Sequence, residues 1–257
     1  MTDRHEKIRC HADEQGIWHI TLDDQPRRNA LTRQMRLELI EALDSAAADP
    51  GCRALVIGAE GSAFCAGGDI SAMGASLDAS MEGMSLLQQI VRRLALFPRP
   101  VIAAVQGGAH GAGFALALLA DSIVAAPGAK FAASFGKVGL GPDTGFMWSI
   151  KRRISQHQAL QLVATARVLG ADEALSMGIV DALAEDPRMA AVQLVQDQAG
   201  VAPLSLAGTK AMLVATSDLE GHLRHELENQ HRMYQTEDHA TAVAAFREKR
   251  QPVFRGR

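Results

Sequence analysis

The chain has 257 residues, with 26 Lys+Arg against 29 Asp+Glu, a formal net charge of -3 and no long block of one sign, which argues against a nucleic-acid-binding protein. Cys10, Cys52 and Cys65 are an odd number of cysteines at spacings unlike a zinc site, and no signal-peptide pattern precedes them, so a reducing cytosol is the expected compartment. No run of about 18 apolar residues is free of charge or glycine, so no membrane span is expected, while the length suffices for one large domain, or a domain with an appendage, around a real core.

Residues 1–15 are charged and read as peripheral, and residues 17–22 then alternate as a strand does. After the turn Asp23-Asp24-Gln25-Pro26, Thr32 is a good N-cap. Met35, Leu39, Ile40 and Leu43 fall on one face of a helix that stops before Asp49-Pro50-Gly51. Residues 53–58 read as a second strand, and an amphipathic helix over 81–96 leads to a third at 100–105. Gly107, Gly108, Gly111 and Gly113 then make a tight turn ahead of a buried helix over 114–121. Such a turn lets a ligand approach the main chain, and the next helix opens with unpaired N–H donors, a combination that suits an anionic oxygen. The same pattern also serves close helix packing. Neither Gly-x-Gly-x-x-Gly nor a Gly-Lys-Ser/Thr ending is present, which excludes the common dinucleotide and phosphate loops.

Further short strands are expected at 122–126 and 130–134, and helices alternating with short apolar strands predict a parallel α/β arrangement. Beyond residue 143 the texture turns helical, with helices expected over 144–154, 157–166, 171–177, 187–198, 203–216, 219–234 and 238–249. Residues 179–183 read as a strand or extended connector. The outcome is an α/β core with a helical C-terminal region suited to self-association.

Five segments, in this order, resemble the enoyl-CoA hydratase/isomerase family, the crotonases. They are Arg28-Asn29-Ala30-Leu31, the run from Gly61 through Phe64-Cys65-Ala66-Gly67-Gly68-Asp69-Ile70, Arg99-Pro100 through Val105-Gln106-Gly107, Gly139-Leu140-Gly141-Pro142-Asp143, and Ala245-Phe246-Arg247-Glu248-Lys249-Arg250. The resemblance implies a spiral of ββα turns over residues 1–200 carrying the acyl-CoA site, and a helical oligomerisation region over 201–257 that assembles trimers or dimers of trimers. It implies an acyl-CoA thioester as substrate, with coenzyme A part of that substrate and no separate cofactor, metal, nucleic acid or membrane partner, in the cytoplasm.

By the same resemblance, the N–H groups of Gly68 and Ala112 hold the thioester oxygen as it gains charge, an interaction stronger in the transition state than in the ground state. Most relatives have glycine where Ala112 stands; alanine serves if its φ is negative. Arg28 would approach the phosphorylated nucleotide, Ala30 and Ala66 would line the channel, and Asp69 and Ile70 would present main chain to the adenine. Phe246 and Lys249 would meet the nucleotide of a neighbouring subunit.

The two glutamates of the hydratase branch fall on Ala115 and Phe135, which move no proton. Asp143 occupies the place of the single acid/base carboxylate of relatives that shift double bonds. The segment from Phe135 through Trp148 looks like the branch that isomerises 2-(1,2-epoxy-1,2-dihydrophenyl)acetyl-CoA and 3-enoyl-CoA thioesters. Phe135, Phe146, Met147 and Trp148 are expected to surround Asp143 and raise its pKa by desolvation. Asp143 also fits the N-cap of a helix starting at Thr144. His110 lies in the oxyanion turn, Cys65 beside a donor without a base, and Asp121 at the end of the buried helix as a structural group.

Other readings are weighed beside this one. A hydratase or lyase would use Asp143 with water and a second acid, for instance from residues 74–84. A dehalogenase would lack its tryptophan, replaced by Phe135, and its histidine, replaced by Gln88. A non-catalytic homologue would bind acyl-CoA or RNA, though the helix at 32–44 offers RNA only Arg33 and Arg36. Residues 70–84 are expected to shape the acyl pocket.

Overall fold

The computed structural model describes residues 6–72, 76–198 and 203–256. Its first strand corrects the sequence expectation: Ile8–Ala12 (β1) is paired antiparallel to Ile17–Leu22 (β2), because Ile8 and Cys10 alternate inward into the core. Thr32 caps Arg33–Ala48 (α1) as expected, its hydroxyl accepting from the Met35 amide at 3.2 Å. Ala54–Ala59 (β3) and Ala63–Cys65 (β4) precede Leu77–Ala95 (α2). Val101–Val105 (β5) and Gly108–His110 (β6) precede Ala112–Leu118 (α3), and Ser122–Ala125 (β7) leads to Lys130–Ala132 (β8).

The remainder alternates short helices with two brief strands: Phe146–Ile150 (α4), Gln156–Thr165 (α5), Val168–Gly170 (β9), Ala171–Ser176 (α6) and Ala182–Leu183 (β10). It closes with Pro187–Asp197 (α7), Pro203–Ala215 (α8), Leu219–Met233 (α9) and Glu237–Arg247 (α10).

Two sheets organise these elements. One has the order β1-β2-β3-β5-β7-β10, parallel throughout except at β1, and the other has the order β4-β6-β8-β9, with only β9 antiparallel. The successive pairs β3–β4, β5–β6 and β7–β8 each place one strand in the first sheet and the next in the second, so the chain winds as a spiral of two-strand turns. Both faces of the larger sheet are covered, which explains why its strands are continuous apolar runs. Leu55, Ile57, Ala103 and Ile123 face the main core, while Val56, Ile102, Ala104 and Val124 pack toward Ala191 of α7.

Several expected boundaries move. The glycine turn contains β6, because its backbone pairs with β4 and β8 in the second sheet. Only residues 182–183 of the 179–183 segment pair as a strand. The helix expected from residue 144 begins at Phe146, since Thr144 and Gly145 have φ of 56° and 69°. Among the described residues no helix is long and apolar enough to cross a membrane.

Candidate active site

Two main-chain loops meet at the ends of β4 and β6. Asn29, fully buried, accepts from the Asp24 amide at 2.7 Å and donates to the Glu60 and Ala63 carbonyls at 2.9 and 2.8 Å, which fastens residues 28–31 to the loop after β3. The Leu31 amide donates to the Gly67 carbonyl and the Ala66 amide to the Arg28 carbonyl, at 2.8 and 3.0 Å. Gly67 has φ of +103°, and a Cβ on it would lie 2.7 Å from the His110 carbonyl oxygen and 3.7 Å from the Ala112 nitrogen. Only glycine allows that approach. The positive φ of the second loop falls on Gly111 (φ 52°), so Ala112, the first residue of α3, has negative φ and carries no strain. Among the described residues neither the Gly68 nor the Ala112 N–H donates to a backbone carbonyl.

Both loops border a cavity of about 70 Å³, which Asp143 also lines. Asp143 is the only carboxylate among the described lining residues. Its Oδ1 accepts from the Thr144 hydroxyl at 2.9 Å, and its Oδ2 accepts from Gln230 Nε2, in α9, at 2.9 Å. Burial pushes the Asp143 carboxyl above its ordinary value, opposed by these two hydrogen bonds and by the charge of Arg36. Thr144, a β-branched residue at φ 56°, is held in a conformation such residues rarely adopt, directly beside the carboxylate. Asp143 caps no helix: the N-cap of α4 is Gly145, so the cap reading is corrected.

The apolar surroundings differ from expectation. Phe135 lines the cavity and packs edge-on against Phe146 with ring centroids 5.3 Å apart. Trp148 turns away, donating to Ser217 Oγ at 2.9 Å beneath the Arg152 guanidinium. Desolvation of the cavity comes instead from Met84 and Leu87 on α2 and from Val138 and Leu140. Residues 73–75 of the expected acyl-pocket segment lie outside the described residues, but Ile70 and Met84 at its ends line the cavity. Of its acids, Glu82 is exposed and paired with Arg33 at 2.7 Å, and neither it nor Asp78 lines the cavity.

Four polar groups of the site escaped the reading of the sequence. Gln230 holds Asp143, and Glu226, one turn earlier on α9, accepts from the Gly145 amide at 3.1 Å. Burial drives the Glu226 carboxyl up to about 8, only partly offset by that N–H and reinforced by the Asp143 charge. Its Oε1 has no hydrogen-bond partner among the described residues. Tyr234 follows one further turn along and lines the cavity, as does Arg36 from α1. A signal existed: Leu219, Leu223, Glu226 and Gln230 share one buried helical stripe, and polar groups in such a stripe need partners inside the fold.

The other expected residues divide by position. Ala66 and Ile70 line the cavity, Ala30 is buried in the 28–31 segment but does not line it, and Arg28 is exposed. Asp69 turns its Oδ1 to the Ser71 amide and hydroxyl, at 3.0 and 2.6 Å. Phe246 and Lys249 are exposed in and just after α10 and do not line the cavity. Gln88 donates to the Leu223 carbonyl and Asp121 accepts from Lys210, both structural arrangements. Burial pushes the Cys65 thiol up to about 12, which leaves no thiolate for nucleophilic work. His110 lies outside the cavity lining, its pKa lowered first by burial.

Over residues 12–257 the sequence matches the family model described as Enoyl-CoA hydratase/isomerase. It is 33% identical over 253 residues to the 1,2-epoxyphenylacetyl-CoA isomerase of Escherichia coli (strain K12), an alignment covering 95% of this chain and 97% of that protein. To the carnitinyl-CoA dehydratase of the same strain it is 35% identical over 259 residues, covering 94% and 96%. Among solved structures, an enoyl-CoA hydratase from Mycobacterium avium subsp. paratuberculosis K-10 superimposes with a TM-score of 0.87 at 27% identity, covering 98% of this chain and all of that one.

Proposed function

Since the chain belongs to the enoyl-CoA hydratase/isomerase family, we propose that it shifts a carbon–carbon double bond in an acyl-CoA thioester, of the 3-enoyl to 2-enoyl kind, with Asp143 as its acid/base. The observation that carries this reading is that Asp143 is the only carboxylate among the described residues lining the cavity, and that it is buried there. Ala115 and Phe135, where a second proton carrier would stand, offer none.

In this reading the thioester oxygen lies between the Gly68 and Ala112 N–H groups. Asp143 takes a proton from C2, the C2–H electron pair spreads over the dienolate with charge on the thioester oxygen, and Asp143 returns the proton at C4. Fixed donors stabilise that charge without reorganising, and burial makes the carboxylate a stronger base than an exposed one. Coenzyme A enters as part of the substrate, along the 28–31 and 66–70 segments with Arg28, Ala30, Ala66, Asp69 and Ile70. Phe246, 52% exposed, and Lys249 reach the nucleotide of a neighbouring copy in a homotrimer or a dimer of trimers.

A hydratase or dehydratase reading finds its acid in Glu226, which stands next to Asp143 but bonds Gly145 and does not line the cavity. A paired assay separates the two. With 3-enoyl-CoA and 2-enoyl-CoA offered in turn, isomerisation is expected to exceed hydration, and Asp143→Asn is expected to abolish it. Fast hydration of the 2-enoyl thioester, or isomerisation indifferent to Asp143→Asn, would sink the proposal.

A further inference from the structure

Arg36 is the only cation among the described residues lining the cavity, whose wall otherwise combines apolar side chains with Ser134, Asp143 and Tyr234. Its Nε is wholly buried and has no hydrogen-bond partner among the described residues, and none of their carboxylates forms an ion pair with it. Asp143 is the anion that influences it most, but the Asp143 oxygens are held by Thr144 and Gln230. Room for the guanidinium is made in α2 at Gly83, where a Cβ would lie 2.5 Å from Arg36 Nη1. Glycine in a helix interior is otherwise unfavourable, and here its missing side chain is the slot that Arg36 occupies. On the cavity wall Tyr234 adds a phenol from the end of α9.

A hydrocarbon chain packed between Met84, Leu87 and Leu140 would shut this guanidinium away from water without giving it an acceptor, an arrangement that costs free energy. An oxygen on the acyl group would remove that cost. The planar fork of arginine fits a carboxylate with two parallel bonds and a neutral oxygen with one.

We propose that Arg36, with Tyr234 near it, is a specificity-determining residue that receives a hydrogen-bond-accepting oxygen carried by the acyl group, so that oxygenated acyl-CoA thioesters are preferred over plain hydrocarbon ones. This deepens the acyl-CoA reading and rests on it. It does not depend on which reaction follows.

The test is binding, not turnover. Isothermal titration of the full-length protein compares saturated four-, five- and six-carbon acyl-CoA thioesters with counterparts of the same length ending in a carboxylate or a hydroxyl. At one length the oxygenated thioester is expected to bind about tenfold to a hundredfold more tightly, the size of a charge-assisted bond to a buried donor. Carboxylate in the lead identifies an anionic ligand, and hydroxyl in the lead a neutral one. Arg36→Met is expected to bring that ratio near one, and Gly83→Ala, which crowds Nη1 with Arg36 still present, to reduce it. Plain thioesters binding as tightly at every length, or a preference that survives Arg36→Met, would overturn the inference. An Arg36→Met effect confined to the pH profile, with selectivity unchanged, would also overturn it and make Arg36 an electrostatic partner of Asp143. Absence of binding by any thioester would instead bring down the acyl-CoA reading itself.

Discussion

Glu226→Gln tests whether α9 delivers a protonated carboxyl to the back of the site. With a folded pKa of about 8 against an ordinary 4.5, Glu226 binds its proton more tightly in the native state. The stability that this protonation protects is therefore complete below about pH 4.5 and is lost as pH rises through 8. Integrating the linkage over the whole window gives about 5 kcal/mol, of which about 2.5 kcal/mol falls between pH 6 and pH 9. Glutamine keeps the shape and an acceptor for the Gly145 amide but does not titrate, so Glu226→Gln should lose about 2.5 kcal/mol less than wild type across that interval. Urea unfolding at pH 6 and pH 9, at one fixed protein concentration because assembly would couple to stability, measures the difference. Parallel losses in the two proteins would refute the argument and show a Glu226 that is ionised and solvated at neutral pH.

Gln230→Leu removes a donor that favours the ionised form of Asp143, so the acidic limb of the pH profile should move upward; an unmoved limb would separate Gln230 from proton transfer. Ala112→Pro deletes one N–H at the first helical position, where proline is tolerated, and should cost about 10²–10³ in kcat with little change in Tm. A loss under about threefold would mean that this N–H does not face the developing charge. Asn29→Ala strands one amide and two carbonyls that it now satisfies, and should lower unfolding stability by about 2–4 kcal/mol; chemical denaturation showing under 1 kcal/mol would contradict its role in fastening the two loops.

The sequence was legible where main-chain geometry restricts the residue type. Gly67 and Gly111 are legible because a backbone that must approach another backbone, or turn through positive φ, leaves few residue types to choose from. Thr32 as a cap and the apolar runs of β3 and β5 are legible for the same local reason. The reading failed where a local pattern competed with a distant partner. Residues 8–12 look like a charged tail, yet Ile8 and Cys10 are drawn into the core once β2 supplies an edge to pair with. Thr144 looks helical, yet it adopts a left-handed conformation beside Asp143 and delays α4 by two residues. Trp148, three residues from Gly145, was expected at the site and instead serves the contact between α4 and Ser217.

The sequence by itself determined the family and the spiral fold, because five short motifs in order carry the resemblance, and that resemblance is also what points to the Gly68 and Ala112 N–H groups and to Asp143. Only the tertiary structure decided what surrounds that carboxylate. Arg36, Glu226, Gln230 and Tyr234 come from helices about 90 to 110 residues before and about 80 to 90 residues after Asp143, and their side chains acquire meaning only when α1 and α9 close on one cavity. Burial and charge are properties of that enclosure, and they set the basicity of Asp143, the proton on Glu226 and the open donor of Arg36.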